Sequence, residues 1–361
     1  MMTLSDLGED AIVNQLILQY LGGRESEAII VGVGDDAAVL RIERSSPDVV
    51  VTVDACPTPV VELLGLGTMY DWGRLAGVIS LSDLASMGAD SVGLLSSTIM
   101  PPSMKTVDYQ EFLKGLSDVC SEWSTPIIGG NIREGENFSA TTVALGTCSR
   151  GRAFRRNGAR VGDGLVVVGN AGLFWSAVLD LLVCGRLERL SASQKKALFR
   201  PTPRLAESVL LRELGVVNAA VDCSDGLGSA IETLGTASRL GAVLEIDEFQ
   251  FDPRVSLAAE AHDVRLERLL LAWGDWQLVV AVPSSEARDV VAEMQSHGYP
   301  AFVAGWLTET PGIEAVRRGA QDPFNVTDVM ASKHFDATYY PTHGLQAYVS
   351  RLKAQWVQVR Q

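Results

Sequence analysis

Apolar residues in this chain fall into short runs with β character, separated by stretches of helical spacing. Leu7, Ile12, Leu16 and Tyr20 sit near a 3.6-residue period, so the opening segment reads as an amphipathic helix ended by Gly22-Gly23. Two β-rich runs follow, 28–33 and 48–54, with a Ser-Ser-Pro-Asp turn signal between them, which gives strand, turn, strand. From Asp71 to Gly88 the pattern is helical again. There Leu75, Ile79 and Asp83 lie four apart on one face, which puts a carboxylate in line with apolar residues. Residues 91–100 form a strand candidate closed by Pro101-Pro102, residues 107–123 a helix, and the segment from Thr125 a short strand, a glycine loop at Gly129-Gly130 and an alternating strand.

Near residue 150 a second unit begins. "DGLVVVGNAGLFWSAVLDLL" reads as a buried strand, a Gly-Asn-Ala-Gly turn and a helix; "PRLAESVLLRELG" is a further helix. "NAAVDCSDGLGSAIETLGTASRLGA" repeats strand, tight turn and helix, and "WGDWQLVVAVP" supplies another strand. The expected architecture is an α/β protein with mixed sheets in both halves: a first unit over 1–149, a second over 150–320 and an extension over 321–361.

Composition narrows the chemistry. At 361 residues, 47% hydrophobic and 20% charged, the chain is an ordinary globular one with room for a large core. A net charge of -14 argues against nonspecific binding to nucleic acid or to anionic membrane, so an anionic substrate needs divalent cations or a local basic patch. The five cysteines are scattered and never form Cys-x-x-Cys, which points to reduced core thiols. The N-terminus carries acids where a signal peptide has positive charge, and no apolar run reaches the length of a membrane span; the cytoplasm is the expected location.

In "AIIVGVGDDAAVL" a β-branched run leads through two glycines to adjacent acids, Asp35 and Asp36. Gly32-x-Gly34-x-x-Ala37, with Asp54 downstream, imitates a dinucleotide fingerprint, but two acids at that point would repel a pyrophosphate and no crossover helix follows. Further acids stand beside glycine, serine or an element end: Asp54, Asp83, and the pair Asp222 and Asp225. Each alone has a plain reading. Asp35-Asp36 can be a solvated turn, Asp54 can mark where a strand meets water, Ser82 or Asp83 can cap a short helix, and Ser224 or Asp225 is placed to cap the helix beginning at Gly226. Together they suit hard cations such as Mg²⁺, which take carboxylate, hydroxyl and phosphate oxygens; the "VDCSDGL" turn adds backbone N–H groups and a positive helix end.

At these residues the chain resembles the thiamine-monophosphate kinase family, within the superfamily that includes aminoimidazole ribonucleotide synthetase. The matching segments are "GVGDDAAVL", "VTVD", "SLSDLASMGAD", "PIIGGN", "GRAFRRNGARVGD", "RPTPR", "VDCSDGL" and "WGDWQLVVAVP", in family order from about residue 5 to 310. The resemblance implies two α/β domains, N-terminal domains pairing across a homodimer into a β-barrel, and ATP in the cleft between domains. It implies magnesium ligands at Asp36, Thr52, Asp54, Asp83, Asp222 and Asp225, and nucleotide contacts at Gly129, Gly130, Asn131, Arg156 and Ser224. Phosphoryl transfer needs mainly positioning and charge neutralisation, so no covalent nucleophile is expected.

The sequence departs from the family pattern at two metal positions, where Asn131 loses a charge and Val53 loses a ligand, and on the acceptor side. Asn131, Ile132, Arg133 and Glu134 stand where aspartate, two threonines and arginine are usual, Val53 replaces a threonine, and "ACPTPVVELLG" lacks the family histidine. Ala272, Trp273, Gly274, Asp275, Trp276 and Gln277 replace Gly-Gly-Glu-Asp-Tyr-Glu, which removes a substrate-contacting glutamate and leaves Asp275 and Trp276 as the acceptor-contact candidates. Three readings follow: an ATP-dependent kinase with a small, phosphorylated or changed acceptor, a synthetase that activates an amide or acid oxygen by phosphorylation, or a noncatalytic nucleotide-binding relative. His262, His297, His334 and His343 lack ligand spacing and read as surface residues. Trp273 and Trp276 read either as a stacking wall or as packing, and Arg152, Arg155, Arg156 and Arg160 as a solvated loop or a phosphate clamp.

Overall fold

The computed structural model describes residues 29–31, 35–41, 46–316, 324–325, 340 and 344–353. The expected opening helix, His334 and His343 lie outside them. In chain order the first unit runs β1 (Ile29–Val31), β2 (Ala38–Leu40), β3 (Asp48–Ala55), α1 (Val60–Leu63), α2 (Met69–Ser86), β4 (Asp90–Met100), α3 (Thr106–Glu122), β5 (Ile127–Glu134) and β6 (Ser139–Cys148). Its sheet has the order β1-β2-β3-β6-β4-β5, antiparallel except for the β4–β5 pair. The strand, turn, strand reading of the region around Asp35-Asp36 holds: β2 pairs directly with β3, Ala38 opposite Val51.

Alternation explains what β3 presents. Asp48, Val50 and Thr52 are buried on one face, and Asp54 continues that face at the strand end. Helix α2 packs on the sheet and is crossed by α3. The crossing is tight because both helices carry glycine at the contact: a Cβ on Gly73 would lie 2.0 Å from the Phe112 carbonyl oxygen, and one on Gly115 would lie 1.9 Å from that of Tyr70. Arg74, 2% exposed, is held there by a two-pronged bond to Glu122 at 2.8 and 2.7 Å.

The second unit runs β7 (Gly164–Val168), α4 (Leu173–Cys184), α5 (Ala192–Phe199), α6 (Leu205–Leu214), β8 (Ala219–Asp222), α7 (Leu227–Ser238), β9 (Gly241–Glu245), α8 (Pro253–His262), α9 (Leu266–Leu270), β10 (Leu278–Val282), α10 (Ala287–Ser296), β11 (Ala301–Thr308) and β12 (Ile313–Val316); β13 (Phe324–Asn325) and α11 (Leu345–Lys353) follow. Its mixed sheet has the order β13-β12-β9-β11-β7-β10-β8, with β7, β8 and β10 buried at every position. Such uniformly apolar strands need cover on both faces, and separate apolar clusters lie on the two sides. The two units meet where the Ser208 hydroxyl donates to the Ala85 carbonyl at 2.6 Å and Arg212 reaches the Gly88 carbonyl and Asp90, both at 2.9 Å. This contact fixes the end of α2 against the second unit.

Four local expectations are corrected. Gly129 and Gly130 form no loop; they lie inside the edge strand β5, where a Cβ on Gly130 would meet the Ser96 carbonyl oxygen at 2.1 Å. Ser82 and Asp83 do not cap a short helix but sit within the 18-residue α2, and the N-cap of α7 is Gly226 (φ 109°), so Ser224 and Asp225 belong to the turn before it. His262 is no surface residue: its side chain is 7% exposed and bonds Asp180 at 2.8 Å, whose other oxygen accepts from Gln194 Nε2 at 2.8 Å. His297 is exposed, and among the described cysteines Cys56, Cys120, Cys148 and Cys223 are buried free thiols.

Candidate active site

A cleft of about 630 Å³ lies between the two units. One wall comes from β3 and α2. The four-residue spacing in α2 brings Leu75, Ile79 and Asp83 to the cleft in one row, while β3 delivers Thr52, Val53 and Asp54. The facing wall comes from the end of β8, the turn after it and α7, with Asp222, Ser224, Asp225, Glu232, Thr233 and Thr236. Asp35 and Asp36 enter from the segment before β2, and Arg156 from the link between units.

Asp36, Asp83 and Asp222, far apart in sequence, each offer a carboxylate oxygen, and these atoms all lie within 4.8 Å of one another. The Thr52 hydroxyl donates to Asp83 Oδ2 and lies 3.4 Å from the Asp36 carbonyl oxygen. Arg156 donates from Nε to Asp36 Oδ1 at 2.8 Å, and again through its NH2 group. Its backbone N–H donates to Asp35 Oδ2 at 3.2 Å. The Ser82 hydroxyl lies 3.4 Å from Asp222 Oδ2, and Asp36 Oδ2, buried, has no hydrogen-bond partner among the described residues.

The electrostatics match this crowding. Burial pushes the Asp83 carboxyl well above the usual range, with repulsion from Asp54, Asp222 and Asp36 adding to it. Burial and Asp36 raise Asp222 likewise, and Arg156 pulls it back in part. Arg156 is itself half-buried, which opposes its charge, yet the attraction of Asp36 prevails and holds it protonated. One arginine cannot balance this many acids. An orphaned carboxylate oxygen, clustered hard donors and a hydroxyl form a donor set that suits Mg²⁺.

Of the sequence candidates, Asp36, Thr52, Asp54, Asp83, Arg156, Asp222, Ser224, Asp225 and Trp276 all line the cleft. Gly129, Gly130 and Asn131 do not; they are exposed on β5, at the far edge of the first sheet. Asp275 does not line it either. Its Oδ1 accepts the Phe174 N–H at 2.9 Å, so it holds the start of α4. Gly274 has φ 110°, and a Cβ there would lie 2.3 Å from the Phe174 ring, so the aromatic ring fills the space of a side chain. Phe174, Trp273 and Tyr340 also line the cleft, and neither Phe174 nor Tyr340 carries a motif signal.

Residues 34–148 match the AIR synthase related protein N-terminal domain, and residues 160–318 the C-terminal domain. The chain therefore belongs to the AIR synthase related proteins. The thiamine-monophosphate kinase of Halobacterium salinarum is 31% identical over 267 residues, 74% of this chain and 83% of the relative, and that of Synechococcus elongatus is 28% identical over 318 residues, 86% and 92%. Among solved structures, AaThiL complexed with AMPPCP and TMP has a TM-score of 0.74 at 22% identity, covering 92% of this chain and 99% of that one. The thiamine-monophosphate kinase of Stenotrophomonas maltophilia gives 0.66 at 25% identity, covering 84% and 95%. Within that class, the chain belongs to the thiamine-monophosphate kinase family and is an ATP-dependent kinase.

Proposed function

We propose that the protein transfers the γ-phosphate of ATP to a small acceptor, thiamine monophosphate or a related compound, in a Mg²⁺-dependent reaction within the interdomain cleft. The observation that carries this reading is the convergence of Asp36, Asp83 and Asp222 from three distant segments to within 4.8 Å, a repulsive arrangement that divalent cations and a polyphosphate would relieve. Thr52, Asp54 and Asp225, which line the same cleft, complete the donor set for Mg²⁺. When bound, the metal supplies neutralisation of phosphate charge.

The chain's own groups do the positioning. Ser224 and the turn ahead of α7 offer hydroxyl and backbone donors at a positive helix end. Arg156, anchored on Asp36, adds a fixed positive charge beside the cluster. The kinase reading needs no covalent nucleophile, since orientation and charge stabilisation carry phosphoryl transfer.

We further propose that the protein acts as a cytoplasmic homodimer whose first sheets close into a barrel. Every residue of the edge strand β5 is exposed, including Ile127, Ile128 and Ile132 at 44, 51 and 71%, and an open apolar edge favours pairing with a second copy. Gly129, Gly130 and Asn131 would then take part in nucleotide contact through the assembled dimer. Among the described residues no helix is long and apolar enough to cross a membrane. The test is phosphorus NMR of the protein with Mg·ATP against a panel of acceptors, thiamine monophosphate first: ATP loss and a new phosphoryl signal that need both Mg²⁺ and acceptor support the kinase reading. A phosphorylated intermediate consumed by an amine donor would favour a synthetase, and binding without turnover a noncatalytic relative.

A further inference from the structure

The chain crosses between the two units at the link after β6 and also, earlier, in the middle of the first unit. It leaves β3 after Asp54 and Ala55, forms the four-residue helix α1, and returns to the first unit at α2. Val60 and Val61 of α1 are 5 and 3% exposed and belong to the apolar core of the second unit; Leu64 and Leu66 pack against the same core. A helix that the sequence places in one unit is thus anchored in the other. The outward crossing is short. The Cys56 N–H donates to the Ala140 carbonyl at 2.8 Å and extends the β3–β6 ladder, whereas the Thr58 carbonyl accepts from the hydroxyl of Tyr340, a member of the second core, at 2.9 Å. Pro57 alone separates these two anchored residues. Buried Pro59 follows with extended backbone, φ -59° and ψ 140°, so two prolines stiffen the crossing. This is the segment that lacks the family histidine. The return is built differently: Gly65 has φ 69°, and the Leu66 and Gly67 N–H groups fold back on the Val61 carbonyl at 2.9 and 2.8 Å before α2 begins.

The outward crossing starts from Asp54, which stands at the end of β3, lines the cleft and repels both Asp83 of the first unit and Asp222 of the second. From this geometry we infer that residues 56–59 are a stiff strap, pinned in the second unit by α1, that presets the gap between Asp54 and the turn carrying Asp222 and Asp225, and that Pro57 is a positioning residue for the site. This rests on the reading of these acids as holders of Mg²⁺ and nucleotide. Mg²⁺ accepts little departure from octahedral geometry at about 2.1 Å. Carboxylates borne by two separate units therefore bind a metal–nucleotide complex tightly when the gap is preset, and at a cost in affinity when the ligand has to set it. The strap fixes that gap from the side of β3, and the glycine-built return leaves α2 to be placed by its own packing on the sheet and α3.

The test lengthens each crossing by one residue, about 3.5 Å, in the full-length protein: a glycine inserted between Pro57 and Thr58, or a glycine inserted after Gly67. Thermal unfolding first shows that each variant is folded, and Pro57→Gly, which loosens the strap without lengthening it, replaces the strap insertion if that protein does not fold. Calorimetry then measures AMPPCP uptake over a series of Mg²⁺ concentrations. The strap insertion should weaken uptake by about tenfold or more and raise the Mg²⁺ concentration needed for half-saturation, because a displaced Asp54 costs the metal as well as the nucleotide. Pro57→Gly should move both quantities the same way, by about threefold. The insertion after Gly67 lengthens a flexible connection and should leave both within about twofold of wild type. A purely structural strap would lower the melting temperature and leave the Mg²⁺ requirement in place. An unmoved Mg²⁺ requirement in the strap variants, or equal losses in the two insertions, overturns the inference. If the wild type takes up no AMPPCP with Mg²⁺, the metal reading fails and the strap's role with it; Mg²⁺-dependent uptake that the strap variants share with the wild type sinks the strap alone.

Discussion

Replacing Asp222 by asparagine separates a metal-holding acid from a structural one, because the two roles give opposite signs. Two unit charges 4.8 Å apart, the outer limit for the Asp36, Asp83 and Asp222 oxygens, repel by about 3.5 kcal/mol at an effective dielectric of about 20. Asp222 takes part in two of the three pairs, so the fully ionised cluster would carry roughly 7 kcal/mol of strain through this residue. Protonation relieves part of it, as the raised Asp83 and Asp222 pKa values show, and Arg156 offsets another part. The bond lost is weak, since Ser82 lies 3.4 Å from Asp222. We therefore expect Asp222→Asn to stabilise the metal-free protein by about 1–3 kcal/mol, a rise on the order of 2–4 °C in melting temperature per kcal/mol. It should also abolish Mg²⁺-dependent ATP turnover. Thermal unfolding at pH 7.5 in EDTA and then with Mg²⁺ and AMPPCP reads both effects. A variant that melts lower than wild type in EDTA, yet is stabilised by Mg²⁺ and nucleotide as much as wild type, refutes the reasoning.

Two further predictions concern parts of the fold that hold the site. Burial pushes Asp275 up to about 7, against the pull of the Phe174, Gly172 and Leu173 N–H groups, so the native state keeps a proton that the unfolded chain releases near pH 4. Stability from this group is then lost as pH rises from about 4 to about 7, by roughly 3–5 kcal/mol in all, and Asp275→Asn should reduce the slope of urea-measured stability across that window; an unchanged slope would place the proton elsewhere. Gly115→Ala sets a Cβ 1.9 Å from the Tyr70 carbonyl oxygen and must push α2 and α3 apart. It should cost about 3 kcal/mol in chemical unfolding and, because α2 carries Asp83, weaken nucleotide binding; a variant as stable as wild type would show that the crossing can relax.

What was readable in advance follows from how local each signal is. The four-residue spacing of Leu75, Ile79 and Asp83 puts an acid on the cleft face of α2, because the helix period is set by neighbouring residues, whereas Thr52 is named through the family resemblance alone and its place beside Asp54 on one face of β3 is a finding of the structure. The ordered motifs around Asp36 and Asp222 pointed to an acidic nucleotide site before any tertiary contact was known. Other features depend on contacts distant in sequence. Gly129-Gly130 looks like a turn in composition, but its glycines serve close approach to β4 within a strand. His262 has no local partner; Asp180 reaches it from α4 and is itself held by Gln194 of α5. Asp275 stood in a motif associated with substrate and instead holds the start of α4. Tyr340 belongs to a segment without a motif, and only the packing of Trp273 against it reveals that it faces the cleft.

The most direct measurement is titration calorimetry of AMPPCP into the wild-type protein with Mg²⁺ and, separately, in EDTA. The account predicts tight uptake with Mg²⁺ and a loss of at least a hundredfold in affinity without it, since the uncompensated acids would then repel the polyphosphate. Equal affinity in both buffers, or no uptake in either, would contradict it.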